Sequence, residues 1–150
     1  MKKALFLDRD GVINQRIVGA YVRNMQEFRF LDGVLDALAI LARKFDYCFV
    51  VTNQQGVAKG LMQETDLIQL HAQMLQTIHQ HGGSIDKAYY CTLHQRDNPP
   101  CRKPNTGMGL QAKMDFPSVH FEHSVMVGDS MSDIEFGLNL GMQTVLIETK

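Results

Sequence analysis

The sequence predicts an α/β fold in which a central parallel sheet carries helices on both faces. Two observations lead there. Five short apolar runs rich in β-formers alternate with segments whose apolar residues recur at helical spacing, and a βαβαβαβαβ order builds a parallel sheet with helices on both faces. Asp8, Thr52, Lys103 and Asp129 then fall at, or just after, the carboxyl ends of the predicted strands, where such sheets bind their ligands.

Residues 4–7 form the first apolar run, and it stops in Asp8-Arg9-Asp10-Gly11. A buried strand ending in carboxylates and glycine delivers its tip to a site. If the strand continues, the i, i+2 spacing places both aspartates on one face. If the chain bends at Asp10-Gly11, one aspartate side chain and the next aspartate's carbonyl converge on a point. Two carboxylates so close repel unless a cation lies between them, and hard divalent cations prefer oxygen ligands. The alternative is an Asp-rich turn after an edge strand.

Residues 15–30 read as a loop, with or without a small hairpin, arching over the tip of the first strand. Asp32 is placed to cap a helix whose buried stripe is Val34, Leu35, Leu38, Leu41, Ala42 and Phe45. Residues 47–51 form the second strand, followed by Thr52-Asn53-Gln54 and a turn at Gln55-Gly56. A helix over 63–81 has Leu67, Leu70, Met74, Leu75 and Ile78 as its core stripe, and Gly82-Gly83 stops it. His71, His79 and His81 lack ligand partners at metal-binding spacing and read as surface or half-buried. The third strand covers 87–91. Residues 92–106 hold Pro99, Pro100 and Pro104 and form a loop. A helix over 107–114, a strand over 124–127, a helix over 132–140 stopped by Gly141, and a strand over 143–147 complete the alternation.

The 150 residues suit a single domain, 1–150, with one hydrophobic core. A composition 45% hydrophobic and 21% charged is that of an ordinary globular protein, and a net charge of -1 argues against a nucleic-acid partner. No window approaches the roughly 18 apolar residues of a membrane-spanning helix. Asp8 interrupts the first apolar run too early for a signal peptide. The expectation is a cytoplasmic monomer with no membrane partner. Three cysteines, Cys48, Cys91 and Cys101, are an odd number suited to a reducing compartment, and Cys48 lies in a strand pattern as an inert core residue.

Four stretches carry a resemblance. Asp8-Arg9-Asp10-Gly11-Val12-Ile13-Asn14, Val50-Val51-Thr52-Asn53-Gln54, Cys101-Arg102-Lys103-Pro104 and Val127-Gly128-Asp129-Ser130-Met131-Ser132-Asp133 occur in that order. Together they resemble the motifs of the haloacid dehalogenase (HAD) superfamily. The best match within it is the D-glycero-D-manno-heptose 1,7-bisphosphate phosphatase group, with the histidinol-phosphate phosphatases second. The resemblance implies a three-layer Rossmann-like fold and a Mg²⁺-dependent phosphatase acting through an aspartyl-phosphate. In it Asp8 is the nucleophile and Asp10 the general acid and base. Thr52 and Asn53 donate to the phosphoryl oxygens. Lys103 stabilises the phosphoryl group, and Arg102 grips substrate. Mg²⁺ takes a carboxylate oxygen of Asp8, the carbonyl of Asp10 and a carboxylate oxygen of Asp129. Asp133 either orients metal waters or the Arg102-Lys103 pair, or is simply an acid at a helix N-terminus.

The implied substrate is a small phosphorylated sugar, with the C7 phosphate of the heptose bisphosphate removed. The other readings are histidinol phosphate hydrolysis and a phosphate-binding protein without catalysis. Three departures stand out. Ser130 follows Asp129 where many members carry lysine. No insertion is large enough for a cap domain. In the loop that commonly binds structural zinc, Cys91 and Cys101 match the first and last cysteines, but Leu93 and Pro99 replace the other ligands and His94 is one residue late. At most three protein ligands remain, whereas structural zinc is almost always four-coordinate, so structural zinc is expected to be absent.

Overall fold

The computed structural model describes residues 1–148. Five strands, β1 (Ala4–Leu7), β2 (Tyr47–Asn53), β3 (Lys87–Cys91), β4 (Val125–Gly128) and β5 (Gln143–Leu146), form one sheet in the order β3-β2-β1-β4-β5. Every neighbouring pair is parallel, with Leu5 opposite both Cys48 and Val125. Four helices, α1 (Val34–Leu41), α2 (Glu64–Gln80), α3 (Gly107–Asp115) and α4 (Met131–Asn139), connect them.

The strand period of two divides the core. Leu5 and Leu7 of β1 join Cys48 and Val50 of β2 on one face, packed with Leu38 of α1 and Leu70, Met74 and Ile78 of α2. Ala4 and Phe6 join Phe49 and Val51 on the other, packed with Met108 and Ala112 of α3 and Phe136 of α4. Successive side chains on a strand point to opposite faces, so a strand buried on both sides reads as an unbroken apolar run. That is why β1 is buried at all four positions.

The chain leaves β1 for β2 and β3 on one side, then crosses to β4 and β5 on the other. The switch point therefore lies between the carboxyl ends of β1 and β4.

Three expectations are corrected. Asp32 does not cap α1: the cap position is Gly33, at φ 79, and no side chain bonds the helix N-terminus. The helix also closes at Leu41, although Phe45 still packs on the core from the turn beyond it. Residues 15–30 form a loop of turns, as expected, and Asn14 meets Phe30 in an isolated antiparallel bridge. His71 is buried rather than surface or half-buried, 5% exposed on the inner side of α2. Among the described residues no helix is long and apolar enough to cross a membrane.

Candidate active site

Asp8 follows β1 and Asp129 follows β4, and these strands are adjacent. Two glycines let the acids meet. Gly11 turns the chain at φ +87, and a Cβ there would fall 1.9 Å from Asp129 Oδ2. A Cβ on Gly128 would fall 2.1 Å from the Cβ of Asp133. Any larger residue at either position collides with the acid cluster, and at Gly11 it would also adopt a left-handed conformation costly for L residues.

Lys103 Nζ donates to Asp8 Oδ1 at 2.8 Å and to Asp133 Oδ1 at 2.6 Å. The lysine is 3% exposed although it comes from a loop. Asn53 holds that loop in place: its Oδ1 accepts from the Lys103 backbone at 3.0 Å, and its Nδ2 donates to the Lys103 carbonyl at 3.2 Å. Burial disfavours the ammonium, but the charges of Asp8 and Asp133 outweigh it and hold the Lys103 pKa above the usual lysine value. Asp133 is also buried, yet the Lys103 charge and its hydrogen bonds keep it below the usual carboxylate range. Its second oxygen accepts from the backbone and hydroxyl of Ser130 and the backbone of Asp129. Asp133 is thus both an N-terminal capping acid of α4 and the partner of Lys103.

Burial raises the pKa of Asp8 to about 7, against the lowering effect of Lys103. Asp10 is shifted the other way. Burial would raise it, but the adjacent Arg9 charge and the bonds from Asn14, Arg9 and Gln54 hold it below the usual range. Arg9 Nη2 and Nε reach Asp10 Oδ1 at 2.8 and 3.2 Å, Asn14 Nδ2 the same oxygen at 2.9 Å, and Gln54 Nε2 reaches Oδ2 at 3.0 Å. Arg9 is completely buried, and its Nη1 lies 3.2 Å from His71 Nε2. Guanidinium has no acceptor, so Nε2 of His71 accepts and Nδ1 carries the hydrogen, without a partner. Burial lowers the His71 pKa to about 3 and so keeps the ring neutral.

Asp8, Asp129 and Asp133 each offer a carboxylate oxygen within 4.8 Å of the others. Arg16 Nη2 touches both oxygens of Asp129, at 3.0 and 2.9 Å, and the carbonyl of Asp10, at 3.3 Å. One nitrogen reaching all three shows that the Asp10 carbonyl and the Asp129 carboxylate face a common point. An all-oxygen donor set of few carboxylates and a carbonyl fits Mg²⁺. Asp133 is held by the buried Lys103 and by the N-terminus of α4, whereas Asp129 and the Asp10 carbonyl are held only by the half-exposed Arg16, so Asp8, Asp129 and the Asp10 carbonyl are the fitting ligands.

Asp8, Asp10, Asn53, Arg102 and Lys103 line one cavity of about 700 Å³, together with Arg16, Tyr21 and Lys59. Thr52 sits differently from expectation: it is 1% exposed, its hydroxyl accepts from Gln54 Nε2 at 2.8 Å, and it is not in the cavity wall. The side chain of Asn53 is likewise bonded to the Lys103 backbone rather than free to donate. From the sequence, Arg9, Asn14, Arg16 and Gln54 carry no assigned role, and His71 reads as surface or half-buried. Arg9, Asn14 and Gln54 stand inside two of the four motif stretches, and that proximity is the available signal. Nothing local marks Arg16.

Cys91 and Cys101 are joined by a disulfide, with Cα atoms 5.4 Å apart, so in this form neither is the free thiol expected of a reducing compartment. The Nδ1 of His94 accepts from the Arg96 backbone at 3.1 Å. Cys48 is a buried free thiol.

The HAD-hydrolase-like family profile matches residues 100–150. A D-glycero-alpha-D-manno-heptose-1,7-bisphosphate 7-phosphatase of Mycobacterium bovis is 42% identical over 136 residues, 91% of this chain and 72% of that protein. A D-glycero-beta-D-manno-heptose-1,7-bisphosphate 7-phosphatase of Haemophilus influenzae is 38% identical over 99% of this chain and 83% of its own length. The crystal structure of D,D-heptose 1,7-bisphosphate phosphatase from B. bronchiseptica, complexed with magnesium and phosphate, superposes with a TM-score of 0.88. It is 34% identical, over 96% of this chain and 79% of that one.

Proposed function

The chain belongs to the HAD-type heptose-1,7-bisphosphate 7-phosphatase family and is a phosphoric monoester hydrolase, and from that premise we propose that it removes the C7 phosphate of D-glycero-D-manno-heptose 1,7-bisphosphate with Mg²⁺. The observation that carries the reading is that Asp8, Asp10 and Lys103 line one cavity, with a carboxylate oxygen of Asp129 within 4.8 Å of one of Asp8.

Asp8 is the nucleophile. Its carboxylate oxygen attacks phosphorus, the bond from phosphorus to the sugar oxygen breaks, and that oxygen takes the proton of Asp10. Asp10 then removes a proton from water, which attacks the same phosphorus, and cleavage of the bond to Asp8 releases phosphate. Lys103, fixed and dry, places its charge against the phosphoryl oxygens and against Asp8. Mg²⁺, held by Asp8, the Asp10 carbonyl and Asp129, supplies positive charge that favours the ionised nucleophile and screens it from the phosphate dianion. The dianion in turn favours a proton on Asp10, overriding the donors that keep it ionised in the free site. Arg102 and Lys59 sit in the same cavity wall and suit the second phosphate of a bisphosphate.

Relatives act on either the alpha or the beta anomer, and anomer preference here is a matter for kinetics. The test is a panel of phosphorylated metabolites, both heptose anomers and histidinol phosphate included, ranked by kcat/KM with and without Mg²⁺. The reading requires a heptose bisphosphate at the head and no turnover in EDTA. Histidinol phosphate ranking first would replace it.

The protein is also proposed to carry no stoichiometric structural zinc, because Leu93 and Pro99 stand at two ligand positions and three ligands do not close a structural site. One zinc per chain in elemental analysis of the reduced protein would overturn this.

A further inference from the structure

We propose that Arg16 is a stand-in for the divalent cation, so that Mg²⁺ loads the site by displacing its guanidinium. The proposal rests on the phosphatase reading above and concerns how its metal site is regulated.

A single nitrogen, Nη2, contacts both carboxylate oxygens of Asp129 and the carbonyl oxygen of Asp10. These belong to two of the three residues assigned to the cation. Mg²⁺ requires its oxygens at about 2.0–2.1 Å, whereas the nitrogen stands among the same oxygens at 2.9–3.3 Å. The two cannot hold those oxygens together.

Charge and burial explain why a side chain stands there. The Asp129 side chain is 5% exposed, and among the described residues its one ion-pair partner is Arg16. Lys103 pairs with Asp8 and Asp133 instead. Without Arg16 or a metal, Asp129 would be a buried carboxylate with no countercharge, which is costly. The Arg16 side chain is itself 53% exposed, at the mouth of the cavity. It belongs to the 15–30 connection rather than to a packed helix or strand. It can therefore withdraw without opening the core, leaving Asp129 and the Asp10 carbonyl to the metal. Arg16 supplies the countercharge of Asp129 in the metal-free site, and it lowers apparent Mg²⁺ affinity in doing so.

The experiment is calorimetric titration of Mg²⁺ into metal-free wild type, Arg16→Gln, Arg16→Ala and Asp129→Asn, paired with thermal melts in EDTA and in saturating Mg²⁺. Both Arg16 variants are expected to bind Mg²⁺ more tightly, by about 5- to 150-fold if the guanidinium opposes the cation as strongly as typical coupled ligands oppose each other. They should melt below wild type in EDTA and with it in Mg²⁺. Unchanged or weaker Mg²⁺ binding in both variants, with normal binding by wild type, would overturn the proposal and leave the phosphatase reading standing. Mg²⁺ binding that survives Asp129→Asn, or is missing from wild type and Arg16 variants alike, would overturn the metal assignment and the proposal with it.

Discussion

Asp8 and Asp10 are two residues apart and electrostatically opposite. Burial dominates at Asp8, while at Asp10 the Arg9 charge and three donating side chains overcome burial. Asp8→Asn removes the nucleophile and should lower kcat by about four orders of magnitude or more. Asp10→Asn keeps the nucleophile but loses proton transfer, and should cost about 10²–10⁴ in kcat. Turnover of p-nitrophenyl phosphate in Mg²⁺ checks the first. The second is clearest with the sugar phosphate, whose alkoxide needs the proton more. The raised pKa of Asp8 also has a consequence for stability. The folded metal-free protein keeps a proton on Asp8 that the unfolded chain releases above its ordinary value of 3.8. The stability from this group is fully present below 3.8 and is lost as pH rises through about 7. His71 acts in the opposite direction: its folded pKa is about 3 against 6.5, so its contribution falls as pH drops below 6.5. Urea denaturation in EDTA from pH 4 to 8, wild type minus Asp8→Asn, isolates the Asp8 part. That difference should fall with rising pH, and a rising difference would contradict the burial account.

At the scale of elements, the proline-rich loop before α3 carries Lys103 back into the sheet. Asn53 at the end of β2 clamps its backbone, and the Cys91–Cys101 disulfide ties the loop to the end of β3. Lys103→Ala leaves Asp8 and Asp133 buried without their countercharge. Removing one partner of a buried ion pair costs about 3–5 kcal/mol, so this variant should lose stability as well as activity. Urea titration separates the two, and the fall in kcat should persist where the variant is still folded. The disulfide closes a loop with a sequence separation of 10. By loop-closure entropy it should contribute about 2–3 kcal/mol under oxidising conditions. Cys91→Ser should therefore melt lower than wild type in oxidant, and the gap should disappear in reductant. A gap of equal size in both conditions would point to packing at Cys91, which is buried, rather than to the cross-link.

For the whole molecule, the sheet order places the ends of β1 and β4, which carry the proposed metal ligands, beside each other at the switch point, so on that reading metal binding and the folded state are linked. The proposed Mg²⁺ site is a constellation that the unfolded chain lacks. At a concentration 100 times its dissociation constant it should add about 2.7 kcal/mol to unfolding free energy. For a chain of 150 residues, each kcal/mol is worth about 2–4 °C in Tm, so melts in Mg²⁺ and EDTA should differ by about 5–10 °C. Asp129→Asn should abolish most of that difference while leaving the metal-free melt within reach of wild type. An equal Mg²⁺ shift in Asp129→Asn would place the stabilising cation elsewhere.

The sequence by itself determined the α/β alternation, the span of β1 and β3 and the placement of Asp8, Asp129 and the Lys103 loop near strand ends. It could do so because these features are local: apolar period, β-branched runs and glycine or proline punctuation lie within a few residues of one another. Only the tertiary structure decided what surrounds those residues. Asp32 looked like a cap, yet Gly33 sits at the helix start, because the chain enters α1 from a turn that needs a left-handed residue. His71 read as surface or half-buried, yet α2 turns it inward onto Arg9, 62 positions away. Thr52 looked like a phosphate donor, yet its hydroxyl is buried and accepts from Gln54. Arg16 carries no signal of its own in the sequence, yet it meets Asp129 from 113 positions away. A hydrogen bond or ion pair across such separations leaves no periodic trace in the chain. It exists only once the parallel sheet has brought the ends of β1 and β4 side by side.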